Sequence, residues 1–297
     1  MSYDVVERRQ AIWATDARKI ANGNAVQVYL EKIGEADPPD LSGIEAVQMG
    51  HVMQPIIGEL AARELGVEVK DLGDTVVQHP EERWMRSHFD FVTVDGRALI
   101  EAKNYNAAVR NKFGEKGSDQ VPPADYYQCL HEAAVMGMDM VYLAVLFGGQ
   151  EFCLFPLHFS EQQIDDLIKV EAELWGRIQA KNPPLPETPE EARKLWPQDR
   201  AGSVTANQNI EQAIATLKAL KADVKSYEPE IERLEGFVQS YMQEHSELVS
   251  PDGSVLATWK TAKASKRFSA DLFKQSMPDI YDRFVVETPG SRRFLIK

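Results

Sequence analysis

Between Phe89 and Lys103 apolar and polar residues alternate in two short runs separated by Asp95-Gly96, a pattern that predicts a β-hairpin. A two-residue turn there suits type I′ geometry, which needs positive φ at both central residues. It sets Val94 opposite Arg97, Val92 opposite Leu99, Asp90 opposite Glu101 and His88 opposite Lys103. The last three pairs share one sheet face, because strand side chains alternate with period two. Upstream, "GIEAVQMGHVMQPIIGELAARELG" reads as a helical run closed by Gly66, with Pro55 kinking it or starting its second part. Downstream the pattern predicts a helix over 124–138, then a hairpin in which "VYLAVLF" and "EFCLFPL" flank Gly148-Gly149, then a helix over 161–181. A Pro-rich stretch follows. Beyond it, Ile210, Ile214, Leu217, Leu220 and Val224 recur at helical spacing, as do Ile231, Leu234, Val238 and Tyr241 after Pro229. Two helices or one kinked helix satisfy this pattern, and the end of the chain suggests a small α+β cap.

With 297 residues the chain can bury a full core, and the pattern divides it into a main domain over 1–184, a Pro-rich linker over 185–205 and an extension over 206–297. The longest apolar run, Met140 to Phe147, is too short to span a bilayer, so no membrane helix is expected. The N-terminus mixes charges of both signs without an apolar stretch, and a cytoplasmic location is expected. Cys129 and Cys153 are too few and too far apart for a disulfide framework or a zinc site; buried, inert thiols are expected. The formal net charge is -13, which argues against indiscriminate coating of nucleic acid. The last forty residues carry nine Lys or Arg against four Asp or Glu, so a local basic surface stays open.

This charge balance leaves the hairpin's own charges to explain. Like charges directly opposed on a sheet face repel, so something positive belongs between Asp90 and Glu101. Lys103 can be that charge, in a half-buried ion cluster. The alternative is a divalent cation: two carboxylates and a backbone carbonyl form a hard oxygen set suited to Mg²⁺ or Mn²⁺. A lysine two residues beyond the second acid would then hold water against a phosphate. The spacing alone is weakly specific.

Four segments in order carry more. "MGHVMQPIIGELAARELG", "SHFDF" with "ALIEAKNY", "PPADYYQCLHEAAVMGMDMVYLAVLFGGQEF" and "ELWGRIQAKNPP" resemble the YqaJ viral-recombinase family, relatives of phage lambda exonuclease in the PD-(D/E)XK nuclease superfamily. The likeness runs from about Trp13 to Pro184. It implies an α/β fold with an α-β-β-β-α-β core, a mixed sheet flanked by helices. It also implies that Asp90, Glu101 and the Ala102 carbonyl bind metal, that Lys103 assists the attacking water, and that Gln128 sits beside the scissile phosphate. Arg18, in "ATDARKIANGN", matches an arginine that the family places near the DNA end phosphate. The chain departs from the family in two places: Gln54 stands where a glutamate is usual, and Asn24 stands near the position of a usual serine.

The activity so implied is Mg²⁺-dependent 5′→3′ resection of linear duplex DNA for phage-type recombination, with Mn²⁺ as substitute. The implied partners are double-stranded DNA ends, a single-strand annealing protein and further copies in a ring-like homo-oligomer. An endonuclease with the same site, or a catalytically quiet DNA-binding protein, are the rival readings. His51, three residues before Gln54, is a further metal-ligand candidate or a surface histidine. Tyr127, with Tyr126, can stack on bases or simply pack. His131 and Glu132 follow Gln128 by one turn and either extend the polar face or lie in solvent, and Trp175 is expected in the core.

Overall fold

The structure, a computed structural model, describes residues 5–73, 75–288 and 290–297. It divides into two units, Met1–Pro197 and Gln198–Lys297. In the first, the elements in chain order are α1 (Val5–Arg9), β1 (Ile12–Trp13), α2 (Ala14–Ala21), α3 (Ala25–Ile33), α4 (Glu45–Leu65), β2 (Val69–Asp71), β3 (Val76–Gln78), β4 (Met85–His88), β5 (Phe91–Thr93), β6 (Leu99–Tyr105), α5 (Pro123–Met136), β7 (Met140–Phe147), β8 (Glu151–His158), α6 (Glu161–Gln179) and α7 (Pro189–Leu195). Among the described residues no helix is long and apolar enough to cross a membrane.

A five-stranded sheet in the order β2-β5-β6-β7-β8 organises the unit. Strands β2, β5 and β6 are antiparallel neighbours, whereas β7 lies parallel to β6 after a crossover through α5. With α4 ahead of them, these elements form the expected α-β-β-β-α-β core. A second, three-stranded sheet in the order β1-β4-β3 joins β1 to the two strands that lie between β2 and β5 in sequence.

Period-two alternation sorts β6 onto two cores. Leu99 packs with Val141, Leu143 and the Cys129, Leu130 and Ala133 side of α5. Ile100 faces the other way, with Phe91, Ala144 and the Ile57 and Ala61 side of α4. Glu101 and Lys103 therefore follow Leu99 toward α5. Pro123 opens α5, its missing N–H falling where a helix leaves donors unpaired, and Gly137 in the left-handed region (φ 69) closes it. Ser160 caps α6 reciprocally with Gln163.

Helix α4 runs unbroken through Pro55, and at Gly58 it comes so close to the sheet that an added Cβ would lie 2.5 Å from the Phe91 ring. Gly58→Ala gains about 1 kcal/mol of helix propensity. Displacing the packed ring costs about 1–3 kcal/mol. A lowered urea midpoint is the expected result, with the strain falling on the residue beside Asp90.

The hairpin keeps the expected register by a different turn. Phe91 pairs with Ile100 and Val92 with Leu99. Only Gly96 has positive φ, and Thr93 closes a four-residue loop by donating its N–H to the Ala98 carbonyl at 2.9 Å. The Thr93 hydroxyl accepts from the N–H groups of Arg97 and Ala98, a local alternative that type I′ geometry does not offer. The expected pairing of His88 with Lys103 is not formed. At Phe89-Asp90 the chain leaves one sheet for the other, so His88 pairs with Val76 in the small sheet and stacks on Trp13 at 5.2 Å.

In the second unit a single helix, α8 (Gln208–Met242), passes through Pro229, and Asn207 caps it by accepting from the Ile210 N–H. An antiparallel pair, β9 (Glu247–Val249) and β10 (Val255–Thr258), follows, and then α9 (Ala270–Ser276) and α10 (Pro278–Phe284).

Candidate active site

Asp90 occupies the step between the two sheets. Its Oδ2 accepts from the Ala102 N–H at 2.8 Å and its Oδ1 from the Gln54 amide at 2.7 Å. The bond to Ala102 ties this carboxylate to the residue directly after Glu101. Glu101 is buried on the α5 face, where its Oε1 accepts from Lys103 Nζ and from Gln128 Nε2, both at 2.5 Å. Gln128 Nε2 also donates to Glu132 Oε1 at 3.1 Å, one turn further along α5. The crossover thus carries an amide and a third acid to the strand.

Three carboxyl groups now surround a single ammonium. Burial, then the neighbouring Glu101 carboxylate, pushes the Asp90 pKa well above the usual carboxylate range. Glu132 is raised for the same two reasons. Burial alone would lower the Lys103 pKa, yet Glu101, Tyr105 and Asp90 outweigh it and hold the pKa above the ordinary lysine value. The site is rich in carboxyl groups even after its lysine is counted, and the raised pKa values show the cost of ionising them all at once. An ordinary buried ion pair has no such surplus, because desolvated charges normally persist only when matched.

Among the described residues no three His, Cys, Asp or Glu side chains are arranged as a metal cluster. A cation would draw on mixed donors instead: Asp90, Glu101, the Ala102 carbonyl and water. Gln128 Oε1 fits that set, being buried with no hydrogen-bond partner while its amide nitrogen is held by two acids. Oxygen donors of this kind suit a hard divalent ion.

Gln54 touches the cluster through Asp90. Its amide fills a carboxylate lone pair, whereas a glutamate there would add a further acid. His51 is exposed on α4 and lies outside the hydrogen-bonded cluster. Arg18, from α2, pairs with Asp125 and donates to the Tyr105 hydroxyl at 2.9 Å, two residues beyond Lys103. Burial opposes its charge, and Asp125 and Tyr105 more than compensate. Asn24 is exposed beside α3, donating to the Asn22 carbonyl. Tyr127 is 40% exposed, lies edge-on to Tyr126 and lines a cleft of about 550 Å³ with Ile20, Leu130 and Val170.

The solvent alternative for His131 and Glu132 is corrected, since both are buried. His131 reaches away from the cluster: Nδ1 lies 2.9 Å from Glu171 on α6 and Nε2 lies 3.1 Å from the Arg86 carbonyl on β4. Asp125, Tyr105 and Glu171 were not legible as partners, because each contact joins elements far apart in sequence. Trp175 stacks with Trp84 at 6.4 Å, and both cysteines are buried and free.

Comparison with known proteins shows what this chain is similar to. "Uncharacterized protein YqaJ" of Bacillus subtilis (strain 168) is 24% identical, over 99% of this chain and 93% of its own. Among solved structures, an alkaline exonuclease of Laribacter hongkongensis has 12% identity over 60% of this chain and 92% of its own, with a TM-score of 0.46. A phage related exonuclease of Haemophilus somnus 129PT has 8% identity, covering 58% and 96% respectively, with a TM-score of 0.45. The model of the YqaJ-like viral recombinase domain matches residues 5–139, a span that includes Arg18, Gln54, Asp90, Glu101, Lys103 and Gln128. Over those residues the first unit of this chain is therefore similar to the YqaJ-like viral recombinase domain.

Proposed function

We propose that the protein is a metal-dependent deoxyribonuclease that degrades linear duplex DNA from its ends, 5′→3′, in phage-type recombination. One observation carries this reading: the surplus of buried carboxylate around Lys103, in a domain matched by a viral recombinase family. Asp90, Glu101 and the Ala102 carbonyl would hold Mg²⁺, or Mn²⁺ in its place, with Gln128 Oε1 reaching a ligand water. When bound, the ion supplies Lewis-acid polarisation of the phosphodiester and a water of lowered pKa.

The chain's own residues do the rest. Lys103 places a fixed positive charge where negative charge grows on the phosphate, and its bond to Glu101 keeps the ammonium aimed. Gln128, gripped by Glu101 and Glu132, presents an oriented amide. Arg18 stands near by on Tyr105 and Asp125, and would meet the end phosphate by exchanging one of those partners. Further proposed partners are a single-strand annealing protein and additional copies of the chain. A basic tail holding Lys260, Lys263, Lys266 and Arg267 reconciles an acidic protein with a polyanion.

The decisive experiment incubates purified protein, with Mg²⁺ or Mn²⁺, with 5′- and 3′-labelled linear duplex and with closed circular DNA. Loss of the linear 5′ label as mononucleotide, with circles intact, is expected. Nicked circles would transfer the site to an endonuclease, and no hydrolysis in either metal would leave a DNA-binding protein.

A further inference from the structure

Helix α8 carries an apolar seam that is largely open to solvent. Leu220, Val224, Tyr227 and Ile231, then Leu234, Val238 and Tyr241, follow one another in alternating steps of four and three residues. This is the a and d spacing of a coiled coil, in which a narrow stripe meets a second helix. All but half-buried Val238 are exposed, from 47% at Leu234 to 75% at Tyr241. Pro229 falls at position f, opposite the seam, so its ring points away from a companion helix.

The charged flanks select the companion. Positions e are Lys221, Glu228 and Glu235, and positions g are Asp223, Glu230 and Phe237. In a parallel pair each g meets the next e of the other helix, setting Asp223 against Glu228 and Glu230 against Glu235. Every such contact repels. An antiparallel pair brings e to e and g to g instead. With Ile231 layered on Tyr227 of the other copy, Val224 meets Leu234, Leu220 meets Val238 and Leu217 meets Tyr241, so every layer is apolar. Lys221 then faces Glu235 at both ends. Like-charge contacts reduce to Glu228 and Glu230, each near its own equivalent at the two-fold axis, where the long side chains can turn outward to water. Such a pairing is isologous and closes on itself.

We infer that α8 docks on the α8 of a second copy of this chain as an antiparallel two-stranded coiled coil centred at Pro229. The pairing does not depend on the nuclease reading, because none of its residues belongs to the active-site cluster.

Cross-linking of the full chain tests the arrangement. Cys129 and Cys153 are buried, so introduced thiols are the reactive ones. With a short bis-maleimide, Glu228→Cys is expected to yield linked pairs. Lys221→Cys and Glu235→Cys are each expected to stay unlinked alone and to link when mixed. Adding Ile231→Asp and Leu234→Asp to Glu228→Cys should remove the linked species and weaken association in sedimentation velocity by about tenfold or more. Both positions are exposed in the single chain, so at a dilution where parent and variant are both monomeric their far-UV circular dichroism should match and exclude misfolding as the cause. Linking of Lys221→Cys or Glu235→Cys alone, failure of the mixture to link, or linking that survives the aspartates would each overturn the inference. Assembly through some other surface gives that failed pattern too.

Discussion

Glu101→Gln should abolish hydrolysis, by at least about a thousandfold, while leaving the metal-free protein as stable as before or more so. The substituted amide oxygen still accepts from Lys103 and Gln128, but one charge leaves a site holding three acids and one base. Lys103→Met should be just as inactive and move stability the other way. It removes the cation that offsets Glu101 and Asp90, a loss on the order of 3 kcal/mol. Added Mn²⁺ should then recover part of the lost melting temperature. A merely structural ion pair behaves differently: removing either partner destabilises, and manganese restores nothing. Melting curves of both variants with and without Mn²⁺, beside single-turnover hydrolysis, separate the two cases. Equal destabilisation by both, with activity retained, would end the catalytic assignment.

His131→Ala should be the most damaging single change away from the site. His131 Nε2 can meet the Arg86 carbonyl only as a donor, and the charged ring donates from Nδ1 to the Glu171 carboxylate as well. Burial opposes that charge, and Glu171 with the Arg86 carbonyl outweighs it, raising the pKa above the ordinary histidine value. Alanine leaves Glu171, itself buried, without its counter-charge, at a cost of about 3–5 kcal/mol.

The sign of the pH effect follows from the raised value. A group that binds its proton more tightly when folded stabilises fully below its unfolded pKa, near about 6.5. That contribution is lost as pH climbs through the folded value. Between about pH 6 and pH 9 the wild-type melting temperature should therefore fall more steeply than that of His131→Gln with Glu171→Gln, whose amides do not titrate in this range. Parallel curves for the two proteins would refute the charged pair.

The sequence-based reading succeeded where signals were local and periodic. Apolar alternation around Asp95-Gly96 held the register of Phe91 with Ile100 and Val92 with Leu99, even though Thr93 and Ala98 close the turn differently. Glu101, Lys103 and Gln128 fell together because a period-two strand and a crossover helix both point inward there. Short strands defeated the same reasoning. Ile12–Trp13 and Met85–His88 are too brief to show a period, so the small sheet and the placing of His88 on Trp13 were invisible. Glu132 was ambiguous because nothing local distinguishes a solvated glutamate from one that α5 carries into a buried acid cluster. The Glu171 contact of His131 joins α5 to α6, and only tertiary packing brings them within reach.

The small sheet also bears on the order of synthesis. Ile12 and Trp13 lie parallel to Met85 and Arg86, and Leu99 to Tyr105 lie parallel to Val141 to Phe147. A nascent chain must therefore carry its first strand unmatched until β4 has left the ribosome, and the strand bearing Glu101, paired with β5 on one edge, keeps its other edge open until β7 follows. Loop-closure entropy is spent before these distant pairings return any stabilisation. Until then the acids of the hairpin sit on a ribbon with one open edge, and a truncated product ending before Met140 would leave them there.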